Sequence, residues 1–345
     1  MQRICTSLVN AGYTVTLVGR QLKTSTALQA QPFAQKRLPC YFTTGFLFYA
    51  EYNLRLLLLL LFIKTDAYCA IDLDTIVPNY LASAINNKPR IYDAHELFTE
   101  LKEVVSRKHV HRFWLMIERF AVPKFKNGYT VNNFIQEEFK RRYNVNYQIV
   151  KNVPFATELA PQDKYEQFTI LYQGAINEGR SFETLIPAMQ HVQAKLLLCG
   201  TGNFLQQVKD LIVKYKLEDK VILKGALLPS ALRAITSKCH IGITIFENEG
   251  LNQYYSLANR FFDYMMAGLP QVCVNYPEYQ LINKQFQFAY LIDDVTEQTI
   301  ATALNNLLAD NVLYGRLAAN CVKARLVLNW QQEEKGLIIF WKTIL

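Results

Sequence analysis

Hydrophobic positions along the chain fall into two alternating kinds of segment. Short runs rich in β-branched or aromatic residues alternate with longer stretches whose apolar residues recur at helical spacing. That alternation is the sequence signature of βα units around a parallel sheet. In the first half it predicts helix over 1–11, strand over 14–19, helix over 46–64, strand over 67–71, helix over 75–85 and strand over 90–92. Helices follow over 96–105 and 111–120, then strand over 129–131 and helix over 135–142. Periodicity fails over 152–167, where Pro154 and Pro161 stand, and this is the linker. The alternation restarts with strands over 169–173, 195–199, 221–224, 241–245 and 271–274, with helices between them, notably 204–215 and 257–266.

Two such series joined by a Pro-containing linker predict two doubly wound α/β domains facing a cleft, with ligands at the carboxyl ends of the strands. The expected domains are 1–153, 154–325 and a final helix, 326–345, that crosses back to the first. A doubly wound domain ordinarily opens with a strand, whereas this chain opens with a helix. The first domain is therefore expected to lack its first strand. A start upstream, or a shortened chain of weak or no activity, is the corresponding expectation, because losing a central strand exposes its neighbours' edges.

Composition narrows the function classes. The 345 residues are 51% hydrophobic and 19% charged, enough for two cores, and no segment is disordered by composition. Lys plus Arg is 37 against 29 for Asp plus Glu, a net charge of +8, but the charges are scattered. With no Lys/Arg run and no nucleic-acid module, this favours an anionic small ligand or an anionic membrane face over nucleic acid. Seven cysteines, an odd number with no C-x-x-C pair, argue against a disulfide framework and a zinc site and for a reducing compartment. His109 and His111 read as a solvated helix start. The strongest apolar run, Leu56 to Ile63, has eight residues, against the ~20 that span a bilayer. It reads either as a buried helix or as a helix whose Leu-rich face, flanked by Arg55 and Lys64, touches a membrane surface.

Four segments carry candidate chemistry. In 257–270 a helix containing Asp263 ends at Gly268 and is followed by Pro270; its N-terminus offers free N–H groups to an anion, and Asp263 can accept hydrogen bonds from a diol. The plain alternative is an amphipathic helix with a Gly cap. In 172–181 a loop containing Gly174 leaves a strand, where backbone N–H groups and Arg180 can hold a diphosphate, or Arg180 is simply solvated. In 199–203, Gly200 and Gly202 form a tight turn or a loop near a nucleotide; Leu205 at the third glycine position counts against a dehydrogenase. Finally, Asp72 and Asp74 follow one strand, and Asp93, His95 and Glu96 follow the next. Carboxylates there can orient a hydroxyl or take its proton, and His95 can donate to a sugar oxygen; Asp72 or Asp74 can instead cap the following helix.

Taken together these segments resemble family 4 of the glycosyltransferases, the large retaining GT-B family, over nearly the whole chain. Residues 92–100, Tyr-Asp-Ala-His-Glu-Leu-Phe-Thr-Glu, are similar to the "YDSHE" segment of a bacterial subgroup. Residues 256–274 are similar to the donor-site block, 174–186 to the loop with a diphosphate-binding Lys, and 152–154 to the signature ending the first domain. The resemblance implies that Asp263 holds ribose hydroxyls, that Arg180 stands at the diphosphate Lys, and that Asn259 and Arg260 lie near the nucleotide with Gly174, Gly200 and Gly202. It implies His95 as the catalytic-side contact to the donor sugar, and Asp72, Asp74, Asp93 and Glu96 on the acceptor side. Tyr255 stands where the family has its first Glu, so the usual contact to the transferred sugar is absent or changed; Ala175 stands where a second basic residue often sits.

The implied donor is a UDP-sugar or GDP-sugar, and the implied reaction needs no metal and no cofactor. The implied acceptor is a saccharide or lipid-linked saccharide for envelope polysaccharide. Location is expected in the cytoplasm, at the inner face of the plasma membrane, with peripheral membrane contact. Rival readings are a sugar-nucleotide epimerase and a non-catalytic relative that binds a sugar nucleotide or a partner enzyme.

Overall fold

A computed structural model describes residues 1–23, 25, 27–158 and 163–345; Pro161 of the linker lies outside the described residues. Its strands are β1 (Thr16–Gln21), β2 (Ala34–Pro39), β3 (Tyr68–Ile71), β4 (Arg90–Ala94), β5 (Asn127–Thr130), β6 (Gln148–Ile149), β7 (Thr169–Gln173), β8 (Lys195–Cys199), β9 (Val221–Gly225), β10 (Ile241–Thr244), β11 (Gln271–Val274) and β12 (Ala289–Ile292). The helices of the first half are α1 (Gln2–Asn10), α2 (Gly45–Phe62), α3 (Ile76–Ile85), α4 (Lys102–Val105), α5 (Lys108–Ala121) and α6 (Asn133–Tyr143). Those of the second are α7 (Phe182–Ala188), α8 (Leu205–Lys214), α9 (Pro229–Lys238), α10 (Leu251–Tyr254), α11 (Asn259–Met266), α12 (Pro277–Phe286), α13 (Glu297–Ala309), α14 (Asn311–Ala324) and α15 (Trp330–Lys342). The chain divides into two compact units, Met1–Lys151 with Gln332–Leu345, and Asn152–Gln331.

In the first unit β3, β4, β5 and β6 form a parallel sheet, with Ile71 opposite Asp93 and Ala94 opposite Thr130. Among the described residues β1 and β2 pair only with each other, which makes two sheets in this unit rather than one. Residues 96–105 do not make the single helix their periodicity suggests. Leu101 takes extended backbone between a 3-10 turn (Phe98–Glu100) and α4, and Glu100 is held by the Arg142 guanidinium at 2.7 Å. α6 is closed at both ends by local chemistry: Asn132 accepts from the Ile135 N–H at 2.9 Å, and Asn144 ends it in the left-handed region at φ 53°. The end of the chain is fastened to this unit by Ser7, which donates to Glu334 at 2.6 Å, and by Lys151, whose N–H donates to Glu333 at 3.0 Å.

α2 meets the buried-helix reading of the leucine run in part: Leu56 and Leu60 are buried, Leu57, Leu59, Leu61 and Ile63 pack against the same cluster, and Leu58 and Phe62 are exposed. It has 18 residues, and only one stripe, Phe48, Tyr52, Leu56 and Leu60, is buried, in a cluster with Leu38, Tyr68 and Ala82. A four-residue spacing places that stripe on one side of a helix. Leucines fall on the other side as well, and those remain exposed.

The second unit is one six-stranded parallel sheet in the order β12-β11-β10-β7-β8-β9. Every residue of β7, β10 and β11 is buried, as expected for parallel strands covered on both faces. The strand that opens the unit, β7, lies between β10 and β8, so the chain order reverses between β7 and β10. The crevice at the carboxyl ends of such a pair is where doubly wound sheets bind ligands.

Candidate functional site

The β7–β10 reversal is physically wedged open. These strands pair only at Ile170–Ile241 and Leu171–Gly242. Beyond that, the Tyr264 hydroxyl, reaching in from α11, takes the place of a strand: it donates to the Leu171 carbonyl at 2.9 Å and accepts from the Gln173 N–H at 3.0 Å. The ring needs the space left by Gly242, where a Cβ would lie 2.4 Å from the Tyr264 ring. Burial holds the Tyr264 phenol well above its usual range, so it stays a neutral donor and acceptor.

Around this carboxyl end of β7 the sequence-predicted residues of the second unit assemble. Buried Gln173 accepts from Thr236 Oγ1 at 2.9 Å and donates through Nε2 to Asp263 Oδ2 at 2.9 Å, fixing the carboxylate's orientation. Arg260, expected near the nucleotide at the start of α11, is buried. Its guanidinium carbon lies 4.5 Å from the ring centroids of both Tyr172 and Phe246. Nη1 reaches the Tyr172 hydroxyl and Nη2 the Ile245 carbonyl, each at 3.3 Å; Nε has no hydrogen-bond partner among the described residues. Nη1 is also 3.4 Å from where a Gly174 Cβ would stand, so the cation lines the Gly174 turn. The Arg180 guanidinium lies 4.8 Å from the Phe246 centroid, so two cations share one ring. Asn259, the first residue of α11, accepts from Asn152 Nδ2 at 2.8 Å, which fastens the linker to the helix start.

Gly200 and Gly202 are explained by the approach of two loops. A Cβ on Gly200 would meet the Gly174 carbonyl oxygen at 1.8 Å, and one on Gly202 the Ile176 carbonyl oxygen at 2.2 Å. Gly174 N–H donates to the Cys199 carbonyl and Ile176 N–H to the Thr201 carbonyl, both at 3.0 Å. The loops after β7 and β8 are thus zipped beyond the sheet, and these glycines shape the Gly174 turn by packing.

In the first unit the register of β3 on β4 brings Asp72 beside His95. The His95 N–H donates to Asp72 Oδ1 at 2.8 Å, and His95 Nε2 stands 3.1 Å from Asp93 Oδ1. Asp72 sits at φ 53°, a left-handed conformation costly for a non-glycine residue. Its side chain makes no helix cap and Asp74 lies inside a 3-10 turn, which removes the capping alternative for both. Burial opposes the charge on His95, but the Asp93 and Asp72 carboxylates outweigh it and push the imidazole up to about 9. Burial pushes the Asp72 carboxyl up to about 7, against the pull of His95, and the Asp74 carboxyl up to about 6. Glu96 is half-buried next to His95 in the chain.

Gln173, Phe246, Tyr172 and Tyr264 were not legible as site residues. The available signal was Gly242 inside an otherwise apolar strand, which marks the close approach of another group.

Residues 157–324, within the second unit and slightly less than half of the chain, match the family model described as glycosyl transferases group 1. No curated protein matches the sequence. Sucrose-phosphate synthase from Thermosynechococcus elongatus is similar in structure, with TM-score 0.80 and 16% identity over 99% of this chain and 91% of that one. So are HepE of Anabaena in complex with UDP-glucose, with TM-score 0.72 and 13% identity over 90% and 86%, and WaaG, a glycosyltransferase involved in lipopolysaccharide biosynthesis, with TM-score 0.70 and 15% identity over 98% and 94%. The chain has the GT-B fold of two Rossmann-like domains, and its second unit carries a domain matching glycosyl transferases group 1.

Proposed function

We propose that the protein is a retaining glycosyltransferase, which moves a sugar from a nucleotide-diphosphate sugar to a saccharide or lipid-linked acceptor in envelope polysaccharide synthesis. The observation that carries this reading is the group of side chains around the end of β7: two guanidiniums on the Phe246 ring, and Asp263 oriented by buried Gln173. A buried cation with an unpaired donor is costly unless an anion completes it. A diphosphate at the Gly174 turn supplies that anion, and Asp263 accepts from the ribose hydroxyls. Arg260 then takes over the task of the basic residue that Ala175 lacks. UDP is the first nucleotide to test, since HepE is held with UDP-glucose.

As the bond from the sugar carbon to the phosphate oxygen breaks, the electron pair goes to the diphosphate. Arg180, Arg260 and the N-terminus of α11 stabilise its charge without a metal. The acceptor oxygen bonds to the same carbon from the same face and gives its proton to the departing phosphate oxygen. His95, kept cationic by Asp93, donates to a sugar oxygen, while Asp72, Asp74, Asp93 and Glu96 orient the acceptor hydroxyl. All seven cysteines are free, in keeping with work in the reducing cytoplasm.

Calorimetric titration with UDP and GDP tests the reading. One nucleotide binds; Arg260→Met weakens it about 10- to 100-fold, the loss of charge-assisted hydrogen bonds, and Asp263→Asn weakens it too. A folded wild-type protein that binds neither nucleotide sinks the proposal. Tyr255, in place of a carboxylate, favours one second reading, a relative that binds a sugar nucleotide without turning it over. Binding with no hydrolysis or transfer of the sugar would select it.

A further inference from the structure

α9 contributes one buried side chain, and it is polar: among the described residues of that helix only Thr236 is buried. Its apolar neighbours Leu232 and Ile235 pack against a core cluster that includes Leu171, Cys239 and Tyr264, but they stay partly exposed. The Thr236 hydroxyl has two acceptors for its proton, the Leu232 carbonyl at 2.8 Å and Gln173 Oε1 at 2.9 Å. The first is the ordinary resort of a threonine inside a helix; the second reaches across to β7. Gln173 is itself buried, and its Nε2 donates to Asp263 Oδ2 at 2.9 Å. Thr236 and Gln173 thus form a buried polar chain that leads from α9 to the carboxylate. Valine and methionine would fill the same places without the cost of desolvating a hydroxyl and an amide, so packing does not account for the pair.

We propose that Thr236 is a positioning residue for the ribose of the nucleotide, acting through Gln173 on Asp263, and that this chain makes the protein prefer ribonucleoside diphosphates to their 2′-deoxy counterparts. The inference rests on the reading of Asp263 as the acceptor for the ribose hydroxyls. A carboxylate admits only a donor, so the Gln173 amide must face it with Nε2 and turn its carbonyl toward α9. That carbonyl is buried and needs the Thr236 hydroxyl. With the hydroxyl gone, either orientation of the amide leaves a buried polar atom unsatisfied, and Gln173 relieves this by withdrawing from Asp263. A carboxylate held in one orientation bonds a vicinal diol with no ordering cost on binding; a loose one gives up the advantage that the second hydroxyl brings. Arg180 and Arg260 are placed by a different group, the Phe246 ring, so the chain from Thr236 acts on discrimination at the ribose rather than on the diphosphate.

Calorimetric titration of the full chain with UDP and 2′-deoxy-UDP, and with GDP and 2′-deoxy-GDP, tests this. The wild type favours the ribonucleotide by about 10- to 100-fold, the worth of a hydrogen bond to a charged group. Thr236→Val, the same shape without the hydroxyl, brings that ratio below about threefold. Thr236→Ser, which keeps the hydroxyl, holds it near the wild-type value. A packing role alone would weaken both nucleotides alike and leave the ratio where it was. If Thr236→Val does not fold, Gln173→Met, which removes the donor to Asp263, reads the same loss. Folded Thr236→Val protein with the wild-type ratio overturns the inference and leaves the donor site standing. Equal binding of ribo- and deoxyribonucleotide by the wild type overturns it too, and a wild type that binds no nucleotide removes the donor-site reading and this one together.

Discussion

Replacing Gly200 with alanine tests whether the loops after β7 and β8 form one rigid unit. The new Cβ would stand 1.8 Å from the Gly174 carbonyl oxygen, whereas ordinary contact begins at 3.4 Å. The obstacle is backbone on both sides, so no side chain can swing away, and the loops must part. Parting them breaks the Gly174-to-Cys199 and Ile176-to-Thr201 hydrogen bonds, at about 1 kcal/mol each. Overpacking strain adds about 1–3 kcal/mol, for a total of about 3–5 kcal/mol. Urea denaturation of Gly200→Ala should show that loss as a lower midpoint at similar slope. Gly315→Ala is the internal control: it lies within α14, a Cβ there meets nothing within 4 Å, and the change should stabilise by about 0.5–1 kcal/mol. Because the Gly174 turn abuts Arg260, any Gly200→Ala protein that remains folded should also bind nucleotide more weakly. A Gly200→Ala midpoint within error of wild type refutes the rigid-unit reasoning.

Two further outcomes follow from the same geometry. Tyr264→Phe removes both hydrogen bonds of the wedge and leaves the Leu171 carbonyl and Gln173 N–H to find other partners, which should cost about 1–3 kcal/mol in urea denaturation; a loss under ~0.5 kcal/mol would show that the hydroxyl is dispensable. His95 should titrate above its ordinary value of ~6.5 by NMR, toward about 9, and Asp93→Asn should bring it down. The sign for stability is that of a raised base: the pair's contribution is complete below the unfolded value and is lost as pH rises through the folded one. The stability gap between wild type and Asp93→Asn should therefore be widest below about 6.5 and shrink toward pH 9; a gap that widens with pH contradicts the pairing.

Legibility in the sequence followed burial symmetry. β7, β8 and β11 were readable to the residue because buried parallel strands are unbroken apolar runs. β2, with the sequence Ala-Gln-Lys-Arg-Leu-Pro, carries no such run: only Leu38 is buried, and it pairs with a single neighbour. The leucine run of α2 was visible, but a helix that is apolar all round looks the same whether one side is covered or both; only the packing tells them apart. The glycines after β7 and β8 were found, though what they face is another loop. The resemblance placed Arg260 near the nucleotide, but nothing local announces that Tyr172 and Phe246, far off in sequence, will enclose it. Tyr264 looked like one more aromatic in a core face, because hydropathy does not register where a hydroxyl ends up.

The tyrosine wedge bears on how binding is paid for. β7 and β10 stop pairing after Leu171 and Gly242, which leaves a gap at the strand reversal. Here it is propped by a side chain whose both hydrogen bonds are made to the strand itself, so the separation of β7 from β10 is settled when the domain folds. A ligand arriving at that end finds the gap already formed. It gives up no affinity to prying strands apart, and its departure lets nothing snap shut. Turnover in this unit should thus be free of a closing sheet, and slow steps should be sought in the loops that carry Arg180 and Gly174.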